Sequence, residues 1–355
     1  GKPTELVSVE APSLAAAFNM INSFVNRRIS LKHTKAVVFS EELAREGTLP
    51  YLHVMARFLE FRRSMFIAVA RGVSAKELLE KNIPVLEANP AKYIELASLT
   101  TKYTAFSPLQ PQFHYFYNAA HLRGADPVAI LVGLKRQTPQ GEGPPIEQPY
   151  GWRSEGSYFA GEIPRSGGNQ TELMGAALFR GDRMVGEING DQMTALMLLR
   201  HTFDQAYVSV QDPLVPEQMV SLNLYQHRTP RIKIDVSSPV PRISIEVFLE
   251  GGVLGIQSGS SYEDPRYRPL LEAATADRIR NDIIQLLQKT QQLGVDSAWL
   301  GRRAKIHFLT EKAWDEYRWK EVYPQASIDL AVHVDLRRFG LLRQTSPQLG
   351  AGTPK

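Results

Sequence analysis

Apolar and polar positions follow two different patterns along the chain. Up to about residue 135, short and fully apolar runs at 36–39, 65–69 and 128–134 alternate with stretches of helical period. Runs of this kind suit strands covered on both faces, so this part predicts a mixed α/β layer. Helix starts are marked between them. Ser74-Ala75-Lys76-Glu77 and Ser107-Pro108-Leu109-Gln110 fit the capping box, and Asn89-Pro90 places a cap before a proline at the first helical position.

After residue 204 the pattern becomes strict alternation. Arg231-Ile232-Lys233-Ile234-Asp235-Val236 and Arg242-Ile243-Ser244-Ile245-Glu246-Val247 read as half-buried antiparallel strands. Ile328, Leu330, Val332, Val334 and Leu336 repeat the pattern, with Asp329, His333, Asp335 and Arg337 facing away. Between them a helix is predicted from about residue 270 to 293, with Gly294 as its stop. The expected fold is α+β and multi-domain, with a C-terminal antiparallel-rich sheet packed on the long helix. Residues 1–137 form the mixed α/β region, with room for two subdomains, and 205–343 form the C-terminal domain.

Between these regions the composition shifts. Seven glycines and five prolines between residues 138 and 168 predict a loop or linker over 138–170, since such a stretch buries too little to offset its ordering entropy. Tyr150, Trp152, Tyr158 and Phe159 are expected to pin it to a domain surface. Residues 171–204 predict a hairpin and helix completing the N-terminal region. Gly181 takes the turn, Asp182 is placed to bond its own backbone, and Asn189-Gly190-Asp191 makes the next turn and cap. The polar tail, 344–355, predicts disorder.

Composition narrows the function classes. With 41 Lys+Arg against 37 Asp+Glu the net charge is only +4, spread along the chain, which does not make a nucleic-acid surface. No cysteine is present, which excludes thiolate chemistry, Cys-based zinc sites and disulfides. No apolar run approaches the roughly 18–20 residues of a spanning helix. Metalloprotease, P-loop, nucleophile-elbow and dinucleotide motifs are all missing. Gly255-Ile256-Gln257-Ser258-Gly259 comes nearest to an elbow with the wrong spacing, and the eight histidines are dispersed, His114 and His121 sharing one predicted helix face. No catalytic residue, cofactor or metal is therefore expected.

Two charged clusters remain as candidate partner contacts. Arg57, Glu60, Arg62 and Arg63 fall at a predicted helix end, where cations complement exposed carbonyls and Glu60 pairs at helical spacing. Arg302 and Arg303, with Lys305, stand beside Trp299, either as a solvated loop or facing anionic headgroups or an acidic partner. Thr310 is placed to cap a helix whose Trp314, Tyr317 and Trp319 pack on the sheet.

Five elements, in order from about residue 13 to 340, resemble the GerAC family of spore germination proteins. Residues 13–17 followed by His33-Thr34-Lys35-Ala36-Val37-Val38-Phe39-Ser40-Glu41-Glu42-Leu43 are similar to its first helix and strand, and Arg57 to Arg63 to its charged helix end. Gly175-Ala176-Ala177-Leu178-Phe179-Arg180-Gly181-Asp182-Arg183-Met184-Val185-Gly186-Glu187-Ile188 resembles its hairpin, Gln291 to Gly301 its "Q---sDifgfG" element, and Val332 to Gly340 its last strand. The resemblance implies a lipoprotein C subunit of a nutrient germinant receptor, anchored by lipid on the outer face of the spore inner membrane. Its implied partners are the membrane A and B subunits, and its implied role is binding and assembly. Family members carry a signal peptide and a lipid-modified cysteine, whereas this chain opens at Gly1-Lys2-Pro3. Gly1 accordingly reads as a cloning remnant, with an N-terminal segment of the first domain expected to be missing. The alternative reading is an extracytoplasmic solute-binding protein holding a small ligand between two lobes.

Overall fold

The apolar runs of the first half become neighbours in one sheet. The computed structural model describes residues 5–26, 28–84, 89–109, 112–122, 124–135 and 153–338. In chain order the first half comprises α1 (Leu14–Phe24), β1 (Ala36–Ser40), α2 (Glu41–Glu46), α3 (Leu49–Arg57), β2 (Phe66–Arg71), α4 (Ala75–Lys81), α5 (Pro90–Leu99) and α6 (Thr101–Thr104). It continues with α7 (Phe113–His121), β3 (Val128–Leu134), β4 (Thr171–Arg180), β5 (Arg183–Ile188) and α8 (Gly190–Arg200). Strands β1, β2 and β3 are parallel, and β4 and β5 continue the sheet antiparallel. Both faces of the parallel part are covered, as their continuous apolar character requires. Ile67 and Val69 meet Phe113 and Phe116 of α7 on one face, while Phe66, Ala68 and Ala70 cluster with Leu78 of α4 on the other.

The second half comprises β6 (Gln205–Gln211), β7 (Met219–Tyr225), β8 (Arg231–Asp235), β9 (Arg242–Ile256), α9 (Arg268–Leu293), α10 (Leu300–Ala304), α11 (Glu311–Tyr317), α12 (Trp319–Val322) and β10 (Ser327–Arg338). Its sheet runs β10-β9-β7-β6, with β8 beside the first half of β9. The pairings of β6, β7 and β8 are antiparallel, but β10 lies parallel to β9, starting with Ser327 beside Arg242. The alternation that predicted an antiparallel strand there reports which face is wet and says nothing of direction. Helix α9 makes the crossover that a parallel neighbour needs. The inward Ile234, Ile243, Ile245, Val247 and Leu330 pack with Ile279, Ile283 and Leu287 of α9 in one core. Glu272 of α9 also accepts from Leu336 N at 2.9 Å, and Arg280 Nε donates to Leu330 O at 3.4 Å, which blunts the edge of β10.

Helix α8 joins the two sheets. Met193 through Leu199 are all buried, because Ala176 and Leu178 of β4 and Ile283 of α9 belong to the same apolar cluster as this helix. A helix lying between two layers needs apolar residues all round. Its start is a capping box of Asn189 and Gln192, as the turn residues predicted.

Three local expectations are corrected. Ser107 caps no helix; its N–H and carbonyl bond the buried Thr101 hydroxyl, and α7 begins only at Phe113. At the other predicted box Ser74 accepts from Glu77 N at 3.0 Å, while the Glu77 carboxylate pairs with Lys81. Asp182 does not bond its own backbone. Its carboxylate accepts from Leu49 N at 2.9 Å and its carbonyl from Thr48 N at 3.1 Å, so the hairpin tip caps α3 from across the fold.

The described part of the expected linker is packed. Tyr158, Phe159 and Ala160 join the core of the first sheet, as two of the pinning aromatics; Tyr150, Trp152 and the tail lie outside the described residues. Gly161 N donates to the buried Glu172 at 2.8 Å, and Arg71 pairs with Glu162 at 2.9 Å. Low regularity in sequence therefore did not mean lack of anchors here.

The inward and outward faces of β9 make a direct test. Ile245→Ala is expected to cost about 2–5 kcal/mol in urea denaturation. Glu246, half-exposed and 3.5 Å from an exposed Arg231, should cost under about 1 kcal/mol when changed to Ala. Equal losses would mean that the two faces are misassigned.

Candidate functional site

Asp126 ends the connection between α7 and β3, one proline before the strand, and Asp296 follows the Gly294 stop of α9, where φ is 64°. Both carboxylates are buried. Asp126 N donates to Asp296 O at 3.0 Å, and Asp126 Oδ2 accepts from Asp296 N at 2.9 Å. Asp126 Oδ1 accepts from Gly181 N at 3.1 Å and from Lys320 Nζ at 2.7 Å. Asp296 in turn accepts from Leu300 N at 2.9 Å, Gly301 N at 2.6 Å and Trp319 Nε1 at 2.9 Å. Trp299 Nε1 completes the ring of contacts by donating to Asp126 O at 3.1 Å. Two carboxylates thus gather the hairpin tip, the β3 entry, α10 and α12 into one node. Burial pushes Asp296 up to about 6, against the pull of its three N–H donors. Gly301 is required by closeness: a Cβ there would stand 2.7 Å from Gly124 Cα and 2.5 Å from Trp319 Nε1.

A second polar cluster ties the start of the 153–170 segment to α8, α9 and β6. Arg278 of α9 donates to Ser209 O of β6 and to Ser154 Oγ, the latter at 2.6 Å. It also faces Asp191 at 3.4 Å, Glu155 at 3.5 Å and Asp282 at 4.0 Å. Burial first, and then Asp191, pushes Asp282 up to about 7, with Arg278 opposing.

Beside the buried carboxylates lies a cavity of about 260 Å³ between α7, α8 and the segment after α9. Leu109, Phe116, Ala119, Val128 and Met193 line it, and Arg200, Thr202 and Trp299 form its polar end. Arg200 Cζ stands 4.1 Å over the Trp299 ring.

The residues expected from sequence fall on the outside and do not converge. Helix α3 ends at Arg57, so Glu60, Arg62 and Arg63 lie beyond it and Glu60 does not pair at helical spacing. Glu60 instead accepts from Leu31 N at 3.1 Å and faces Arg28 at 3.8 Å, joining the loop before β1. Arg57, Arg62 and Arg63 are exposed. Arg302 and Arg303 sit in the last turn of α10, Arg302 exposed with its Cζ 5.2 Å from the Trp299 ring, and Lys305 pairs with Glu311 at 2.7 Å. Helix α7 separates the clusters: His114 N donates to Arg63 O, whereas His121 lines a groove with Arg302. Its nine residues span roughly 13 Å.

The family-like element from Gln291 to Gly301 contains Asp296, Trp299 and Gly301, whereas no motif singles out Asp126, Arg200 or Lys320. The signal in the sequence is an aspartate one proline before an apolar strand. Ser258, in the segment nearest to a nucleophile elbow, bonds Asp212 and Ser260, and the buried Tyr262 also bonds Asp212. These partners make a loop anchor.

The class of protein follows from this architecture and from its relatives. The N-terminal profile described as "Spore germination protein N-terminal domain" matches residues 1–134, and "Spore germination B3/ GerAC like, C-terminal" matches residues 174–340. The chain belongs to the GerAC family and is a spore germination protein of the germinant receptor C-subunit type. It is 23% identical over 343 residues to the putative spore germination protein YfkR of Bacillus subtilis (strain 168), covering 95% of this chain and 79% of that one. Spore germination protein KC of the same organism is 21% identical, with 96% and 80% covered. GerQC of Bacillus cereus is 20% identical over 49% of this chain and 47% of its own length. The crystal structure of the GerBC protein has the same fold, with a TM-score of 0.54 at 16% identity over 86% of this chain and 79% of that one.

Two outcomes are expected from the buried groups. Asp126→Ala leaves Lys320 and two backbone N–H groups uncompensated and should cost about 3–5 kcal/mol in urea denaturation. Asp282 holds its proton more tightly when folded, so its contribution is fully present below 3.8 and is lost as pH rises towards about 7. The native chain should therefore lose stability between about pH 4 and pH 7, and Asp282→Asn should flatten that slope. An unchanged slope in pH-dependent melts would show that Asp282 does not titrate there.

Proposed function

We propose that this chain is the non-enzymatic C subunit of a spore nutrient germinant receptor, working with membrane A and B subunits in germinant sensing. In this reading an N-terminal lipid holds it to the outer face of the spore inner membrane, and its own task is assembly. The observation that carries the reading is the continuous core: α8 is shared by both sheets, and Asp126 and Asp296 lock the halves together. Such a body suits a rigid docking element better than two lobes closing on a solute, the alternative function. Among the described residues no group of three or more His, Asp or Glu is placed to hold a metal, and none of their helices is long and apolar enough to cross a membrane. We assign Arg57, Arg62, Arg63, Arg302 and Arg303 to partner contact, with Glu60 as the brace between the first cluster and the loop before β1. The domain division proposed is 1–137 with 171–204, then 205–343, with 138–170 as a Gly/Pro-rich loop or linker.

Co-purification with the A and B subunits from spore membranes tests this assignment. Charge reversal of Arg57, Arg62 and Arg63 together, or of Arg302 and Arg303, is expected to lower recovery of the complex and slow germination without lowering the melting temperature. Full recovery with both reversals would place the contact elsewhere. Failure of the unaltered chain to co-purify would count against the receptor role.

A further inference from the structure

The cavity beside Trp299 contains an unexplained charge. Arg200 Nε donates to Ser297 O at 2.7 Å, but its Nη2 is shielded from solvent and has no hydrogen-bond partner. Asp296, the nearby carboxylate, has both oxygens engaged by Leu300, Gly301 and Trp319. Asp126 is taken by Lys320, Gly181 and Asp296. Arg302, on the same indole, adds a second positive charge instead of relieving the first. A buried N–H without an acceptor, on a cation that Asp296 balances only through space and not by a direct ion pair, is costly and calls for an explanation.

We propose that this cavity binds a small monocarboxylate with an apolar body, its carboxylate held by Arg200 and its body lying among Leu109, Phe116, Ala119, Val128 and Met193. The walls are mainly apolar, which disfavours a heavily hydrated phosphate, while the polar end presents a guanidinium suited to a carboxylate. The volume of about 260 Å³ lies just under the roughly 300–1,000 Å³ of small-molecule pockets, so only a small ligand fits. Burial brings Arg200 down to about 9, with Asp296 opposing, which leaves it cationic at neutral pH. The inference stands apart from the receptor assignment, because it needs only this chain.

Calorimetry and ligand-observed NMR on the chain, with benzoate and 3-methylbutanoate against benzamide and 3-methylbutanamide, test it. Saturable one-to-one binding of a carboxylate is expected, at least about 10-fold tighter than its amide, a difference of about 1.4 kcal/mol. Arg200→Met should weaken carboxylate binding by a similar factor while the chain stays folded, and Arg200→Lys should retain part of it. Ala119→Leu, which narrows the cavity from α7 with Arg200 intact, should weaken both carboxylates and serves if Arg200→Met fails to fold. No saturation up to about 10 mM carboxylate, equal binding of acid and amide, or binding indifferent to Arg200→Met and Ala119→Leu would each overturn the proposal.

Discussion

The mutual backbone and carboxylate pairing of Asp126 and Asp296 is the constraint from which the rest of the arrangement follows. Two neighbouring buried carboxylates repel each other, and each costs desolvation, so they persist only where donors surround them. Here Lys320, Trp319 and the backbone N–H groups of Gly181, Asp296, Leu300 and Gly301 supply those donors. These donors come from four separate places: the hairpin tip, the turn after α9, the start of α10 and the start of α12. Satisfying two side chains therefore fixes the hairpin tip, the β3 entry, α10 and α12 at once, and the close approach of Gly124 and Gly301 lets the backbones meet.

This node has consequences on both sides. Outward, it places α10, with Arg302 and Arg303, at one end of α7, while the loop carrying Arg62 and Arg63 stands at the other. The two basic clusters are thereby presented on separate parts of the surface, an arrangement compatible with more than one contact in an assembly. Inward, Trp299 is held by its bond to Asp126 O and forms the wall on which Arg200 rests. The packing that joins the halves is therefore also the packing that shapes the cavity between them.

The same economy explains the segment after residue 152. It has little regular structure, yet Arg71 and Arg278, one from each half, reach it through Glu162, Ser154 and Glu155. Charged side chains from regular elements replace the hydrogen-bond ladder that a glycine- and proline-rich stretch cannot make for itself. Asp282 is buried beside the carboxylates that share Arg278, and burial first, then Asp191, is why its proton is retained above the ordinary carboxylate range.

Much of the secondary structure was legible in the sequence, because it is written in local periodicity. The runs that became β1, β2 and β3, the alternation of β8, β9 and β10, the long α9 with its Gly294 stop and the Asn189 cap each depend on residues close together in the chain. Strands β6 and β7 give a weaker signal, because apolar residues at outward positions, such as the exposed Tyr207, blur their alternation. The order of five family-like elements also carried the family assignment, although none of them showed its purpose. What the tertiary structure alone decided is every feature that rests on distant partners. Alternation could not give the direction of β10, since it records only the wet face. Asp182 met the N-terminus of α3 more than 130 positions away in sequence, a separation at which local turn chemistry has no say. Asp126, Lys320 and Arg200 looked like ordinary charges because their meaning lies in burial and in the partners that burial leaves or withholds, and neither is a property of neighbours along the chain.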